Sequence, residues 1–116
     1  MARTNLERNV NPLLITNVKG NVKSVSLVPG YLIKVVAYNA DTPDLRFLQI
    51  FDEVASDVIV GVTVPKYVLP VPIAVIDDND FGMQFNKGLS CAMTTGPLNS
   101  VGATIGGTIT FLYKEF

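Results

Sequence analysis

Residues 81–96, FGMQFNKGLSCAMTTG, constrain this chain more than any other stretch. Phe81, Met83 and Phe85 alternate with Gly82, Gln84 and Asn86. Beyond Asn86-Lys87-Gly88, Leu89, Cys91 and Met93 alternate with Ser90, Ala92 and Thr94. Side chains along a strand point to opposite faces in turn, so a period of two on both sides of an Asn/Gly turn predicts a β-hairpin with one apolar face. A chain with such a hairpin must supply further strands to cover that face.

The rest of the sequence supplies them. Leu13–Val18 is short and β-prone, and Lys19-Gly20-Asn21 reads as a turn. Val22–Val28 follows, with Val25 and Leu27 on one face and Ser24 and Ser26 on the other; Pro29-Gly30 ends it in the pairing that favours a type II turn. Tyr31–Tyr38 is apolar except for Lys34, which suits a strand buried on both faces, within a sandwich or against a neighbouring subunit. After the turn-rich Asn39–Asp44 comes the strand Leu45–Phe51, with Leu45, Phe47, Gln49 and Phe51 on one face and Arg46, Leu48 and Ile50 on the other.

Asp52–Asp57 fits a loop or a single helical turn, and Val58–Val64 resumes the β pattern until Pro65. Tyr67–Ile76 contains Pro70 and Pro72, which cannot donate to a sheet ladder, so it is an edge strand or a crossing between sheets. Asp77-Asp78-Asn79-Asp80 turns the chain into the opening hairpin, and Gly96–Gly107 is a long loop. Thr108–Lys114 closes the chain, with Ile109, Phe111 and Tyr113 opposite Thr108, Thr110 and Lys114. No stretch shows the periodicity of an amphipathic helix of three turns. The expected fold is all-β, a jelly roll or β-sandwich of about eight antiparallel strands.

A chain of 116 residues makes one domain that needs neither disulfide nor metal to fold. The expected division is an N-terminal arm over residues 1–12 and a single β-sandwich (jelly-roll) domain over residues 13–116. The arm is polar; it is either a frayed terminus or a segment that orders against a neighbour. Nine basic against ten acidic residues exclude a phosphate-neutralising nucleic-acid binder. The longest nearly unbroken apolar run, Val68–Ile76, is far short of the roughly twenty residues of a membrane helix. Charged residues are only 16% of the chain, which predicts that a partner subunit covers part of the surface. The start lacks the apolar core of a signal peptide and Cys91 has no cysteine to pair with, so synthesis and retention in a reducing cytoplasm are expected. Assembly there into a particle that later leaves the cell stays open.

The chemistry of the side chains is sparse. Without a histidine there is no Ser-His-Asp or Cys-His arrangement within one chain. Cys91, beside Leu89 and Met93, reads as a small buried hydrophobe rather than a nucleophile. Asp78-x-Asp80-x-Gly82 opens like a calcium loop, but Leu89 stands where the bidentate Glu belongs, so Asp77, Asp78 and Asp80 read as a solvated turn. Gly102, Gly106 and Gly107 lack the following Lys-Ser/Thr and helix of a phosphate loop. Lys34 and Arg46 direct their heads to the surface over buried stems, or meet acidic residues of an adjoining subunit. No catalytic, cofactor-binding or metal-ligating residue is expected, and the chain reads as a non-enzyme with no cofactor.

One order of motifs points further. Val36-Ala37-Tyr38-Asn39 is followed by Arg46–Asp52 (RFLQIFD), then Pro70-Val71-Pro72, then Phe81–Leu89 (FGMQFNKGL), then a Thr/Gly-rich tail ending in an aromatic strand. Over Tyr31–Tyr113 this order resembles small tailed-phage structural proteins, particularly the jelly-roll cement (decoration) proteins of icosahedral heads. The resemblance implies a virion protein made in the host cytoplasm and placed on the capsid surface. As a homotrimer it would clamp adjacent major capsid subunits, with no nucleic-acid or membrane partner. A tail or fibre component of the particle is the alternative, and a carbohydrate-binding jelly roll, its site lined by the Gly96–Gly107 loop, is the weaker one.

Overall fold

The computed structural model describes residues 10–40, 45–72 and 76–116, with backbone alone for residue 10 and residues 76–81. The strands are β1 (Val10–Val18), β2 (Lys23–Ser26), β3 (Gly30–Tyr38), β4 (Arg46–Phe51), β5 (Tyr67–Val71), β6 (Ile76–Phe85), β7 (Leu89–Thr94) and β8 (Gly107–Glu115). A 3-10 turn at Ala55–Asp57 realises the helical turn that the acidic stretch allows. The strands form two four-stranded sheets, a front sheet in the order β1-β8-β3-β6 and a back sheet in the order β2-β7-β4-β5. All the pairings are antiparallel. Only β4 and β5 are neighbours both in sequence and in a sheet; every other step between consecutive strands crosses from one sheet to the other. That is the wrapping of a jelly roll, and the all-β sandwich expected from the sequence is the fold.

Alternation fills the space between the sheets. Leu32, Val35 and Ala37 of β3, Met83 and Phe85 of β6, and Ile109, Phe111 and Tyr113 of β8 point inward from the front. Val25, Leu48, Ile50, Leu69, Val71, Leu89, Cys91 and Met93 meet them from the back. Pro12 and Pro70 fall on β1 and β5, edge strands where a missing donor breaks no ladder. After β5 the chain leaves the back sheet for the front one, so the Pro-x-Pro stretch is both an edge strand and the start of a crossing.

The hairpin predicted at Asn86-Lys87-Gly88 does not form. Its two strands exist, but β6 pairs with β3 in the front sheet while β7 pairs with β2 and β4 in the back sheet. An alternating pattern specifies a face, and two strands in opposite sheets, each turned to the core, satisfy it as well as two strands side by side. Strand β7 has both flanks occupied, which leaves no edge for β6.

Other expectations are corrected in the same way. Val58–Val64 is no strand: Ile59–Thr63 closes a turn, with the amides of Val62 and Thr63 donating to the Ile59 carbonyl (2.9 and 2.8 Å) and Gly61 at φ +90°. The Asp77–Asp80 backbone is no turn but part of β6, with Asp80 opposite Lys34 and Asp78 opposite Val36 in register; the side chains lie outside the described residues. In β2 the register shifts between Ser24 and Ser26, so Ser26 turns inward and Leu27 outward, against the phase expected. Within the single chain strand β3 is buried on one face, with Tyr31 and Tyr38 exposed on the other, so the sandwich supplies only one of the two covers. Strand β1 begins at Val10, opposite Lys114, so residues 10–12, expected in the arm, pair in the front sheet. Residues 1–9 and 41–44, and with them most of the expected arm and Asp44, lie outside the described residues.

Gly30 is not the positive-φ residue of a type II turn. It opens β3 between Glu115 and Phe85, where an added Cβ would lie 2.3 Å from the Lys114 carbonyl oxygen and 2.7 Å from the Phe85 ring. The carbonyl belongs to the ladder and cannot swing away. Gly30→Ala is therefore expected to lower unfolding stability by about 1–3 kcal/mol, the usual cost of overpacking, as read from urea denaturation.

Candidate functional site

In a two-sheet sandwich the outer face of each sheet ordinarily meets water. On the back sheet Gln49 and Phe51 of β4 and Ser90, Ala92 and Thr94 of β7 are instead wholly buried. Two connections cover them. The β4–β5 connection, residues 52–66, lies against the start of β7, where Ser90 Oγ donates to the Glu53 carbonyl (3.0 Å). The β7–β8 connection, residues 95–106, doubles back beside the end of β7. There Thr95 N–H donates to the Val101 carbonyl (2.8 Å) and Ala103 N–H to the Met93 carbonyl (3.1 Å).

Gln49 ties the second connection down. Its amide nitrogen donates to Thr94 Oγ1 (2.9 Å) and to the Asn99 carbonyl (3.0 Å), and Thr94 Oγ1 donates in turn to the Gly96 carbonyl (2.7 Å). The Gln49 carbonyl oxygen is buried with no partner among the described residues, so the amide favours the loop over its own full hydrogen-bonding complement. The two connections then meet. A Cβ on Gly61 would come within 2.9 Å of the Ser100 Cβ, and the left-handed backbone at Gly61 lets the turn approach that closely.

Around this contact five large apolar side chains are exposed. Ile59, Val62 and Val64 flank Gly61, and Leu98 and Val101 flank Ser100; all five are exposed, Val64 at 82% and Val62 at 73%. Residues 58–64 and 95–106 contain no charged side chain. The sequence reading missed this surface by assigning Val58–Val64 to a strand. The signal available was Gly61, since an isolated glycine inside a strand pattern marks a bend.

A polar cluster sits where the chain crosses from β6 to β7. Asp52, just past β4, accepts through Oδ1 from the amides of Asn86 (2.8 Å) and Lys87 (3.0 Å). Lys66 Nζ lies 3.6 Å from Asp52 Oδ2 and also donates to the Gln84 carbonyl, and Lys87 Nζ donates to Glu53 (3.0 Å). Partial burial pushes the Asp52 carboxyl up, but the amides of Lys87 and Asn86, the Lys66 ammonium and the Gly88 amide together hold it below its ordinary 3.8. This carboxylate fastens the Asn/Gly turn to the back sheet, so the turn serves as a crossing.

The residues singled out in the sequence do not converge. Cys91 is fully buried in the core, and desolvation pushes its thiol up to about 12 despite Lys23 nearby. Gly102 packs backbone to backbone against Gly20, and Gly106 against Asn17. Arg46 is nearly buried and donates to the Leu45 carbonyl (3.0 Å), against the surface-directed head expected, while Lys34 is half-buried on β3. Among the described residues no three His, Cys, Asp or Glu side chains gather to hold a metal, and no helix is long and apolar enough to cross a membrane. Compared with protein-family models, with curated proteins and with solved structures, the chain matches none.

Two measurements check this geometry. A thiol reagent is expected to label Cys91 only as fast as the protein unfolds; labelling of the native state at the rate of free cysteine would contradict its burial. Because the folded pKa of Asp52 is lowered, its contribution is complete above about pH 4 and is lost as pH falls through the folded value. Asp52→Asn is expected to cost about 1 kcal/mol at pH 7, and the variant and parent unfolding curves should converge as pH falls below the ordinary carboxylate value.

Proposed function

We propose that this chain is a structural protein of a phage particle, a cement protein that binds the head as a homotrimer and bridges neighbouring major capsid subunits. The observation that carries the reading is the uncharged apolar surface around Gly61 and Ser100, displayed on connections fixed by hydrogen bonds. Apolar surface held rigidly in water is what a protein partner covers, and the low charge of the chain agrees with that use. Jelly rolls serve viral capsids as well as lectins and cupins, so the fold accommodates the role without selecting it. The motif order over Tyr31–Tyr113 supplies the choice.

Physically, a trimer spanning a seam between capsid subunits resists their separation through buried area. Many copies on one shell make that resistance collective, so each site needs only modest affinity. A carbohydrate-binding reading would need the 96–107 loop to line an open site; here the loop is packed on the back sheet and its side chains at Leu98 and Val101 are aliphatic.

The test is mass and location. Light scattering is expected to give three times the 12.5 kDa chain mass. Separated heads and tails of the phage that encodes the chain, probed by mass spectrometry, should show it on heads. Recovery on tails alone would move it to the tail, and a monomer that binds no particle would remove the reading altogether.

A further inference from the structure

We propose that the platform formed by Ile59, Val62 and Val64 with Leu98 and Val101 is the surface through which copies of this chain join one another. The inference deepens the trimer reading and rests on it: the same platform from each copy meets its counterparts around the symmetry axis.

Size is the first argument. With the exposures observed, the five residues present about 500 Å² of largely apolar surface, within the range for the largest patch of a monomer. A standard interface takes about 800 Å² from each partner, an apolar centre inside a polar rim. The platform is sized for the centre, and Thr63, Asn99 and Ser100 stand beside it in sequence as rim.

Charge is the second. Interface centres are depleted of charge, and neither segment of the platform contains a charged residue. The chain carries a net charge of only −1, so copies approach without appreciable repulsion. A patch with neither charge nor a pattern of donors and acceptors selects its partner by shape and availability, and another copy is available from the moment of synthesis.

That timing is the third argument. Residues 58–64, VIVGVTV, are uncharged, proline-free and rich in β-branched side chains, the composition of an aggregating segment. Left open in the cytoplasm until a capsid appeared, the segment would invite disordered association. A defined contact between copies removes the hazard early. Other exposed apolar positions are less suited, among them Leu14, Tyr31 and Tyr38, which share the outer front face with Thr108, Thr110, Lys34 and Lys114, and Phe116, whose amide donates to the Pro29 carbonyl next to Val28.

The test compares the parent chain with Val62→Asp/Val64→Asp and, as a control on the front sheet, Leu14→Asp. Mass is read by light scattering from 1 to 200 μM, with circular dichroism to report the fold. The parent and Leu14→Asp are expected to be trimers, and the double variant a folded monomer with association weakened at least 100-fold relative to the parent. A double variant that stays trimeric overturns the assignment and leaves the trimer reading standing. A parent chain monomeric throughout overturns both. If the double variant does not fold, hydrogen exchange on the parent decides. Amides of residues 59–64 and 98–101 should gain protection between 1 and 200 μM; protection unchanged there, with gain elsewhere, overturns the assignment.

Discussion

Strand β7 is buried on both faces, and much of the molecule follows from that. Its neighbours β2 and β4 occupy both flanks, so the next strand back, β6, must lie in the other sheet. Leu89, Cys91 and Met93 supply one face to the core. Ser90, Ala92 and Thr94 need a cover that a two-layer sandwich does not have. The connections 52–66 and 95–106 are that cover, a partial third layer held by Gln49 and by the close passage of Gly61 past Ser100. Layers laid down by loops have their own outer surface, and here it exposes Ile59, Val62, Val64, Leu98 and Val101.

How much of this can be read in the sequence depends on how local the deciding interaction is. Strand β8 is legible because Ile109, Phe111 and Tyr113 announce a face without reference to anything else. Pro70 places β5 at an edge because the missing donor is its own. The buried state of Cys91 follows from its phase beside Leu89 and Met93. The partner of each strand is a different matter. Alternation around Asn86-Lys87-Gly88 does not say whether β6 and β7 lie side by side or in opposite sheets; Asp52, thirty-four residues earlier, settles that by accepting from Asn86 N–H. Val58–Val64 has the composition of a strand, and what makes it a turn is the distant Ser100 against Gly61. At Ser26 a single register shift reverses the phase, and the hydroxyl that turns inward meets Glu115 (2.9 Å). The candidate surface was illegible for the same reason, since exposure belongs to the folded molecule and not to the residue.

The edges of the two sheets are guarded against strand addition. Strands β1 and β5 carry prolines, β2 is only four residues long, and β6 has Asp77, Asp78 and Asp80 in its sequence. Prolines, short strands and charge are the ordinary protections against strand-to-strand addition.

The position of β8 has a consequence for how the molecule comes into being. The final strand of the fold lies between β1 and β3, so the front sheet has a gap in its middle until Glu115 has left the ribosome. Until then β1 has no partner in its sheet, and the inward side chains of β4 and β7 lack the Ile109–Phe111–Tyr113 row that closes over them. Folding is therefore held back until β8 has been made, and strand pairings that are almost all distant in sequence make it slow once it starts. During that interval the nascent chain exposes its uncharged runs without shelter, which places the demand for protection on the cell that makes it.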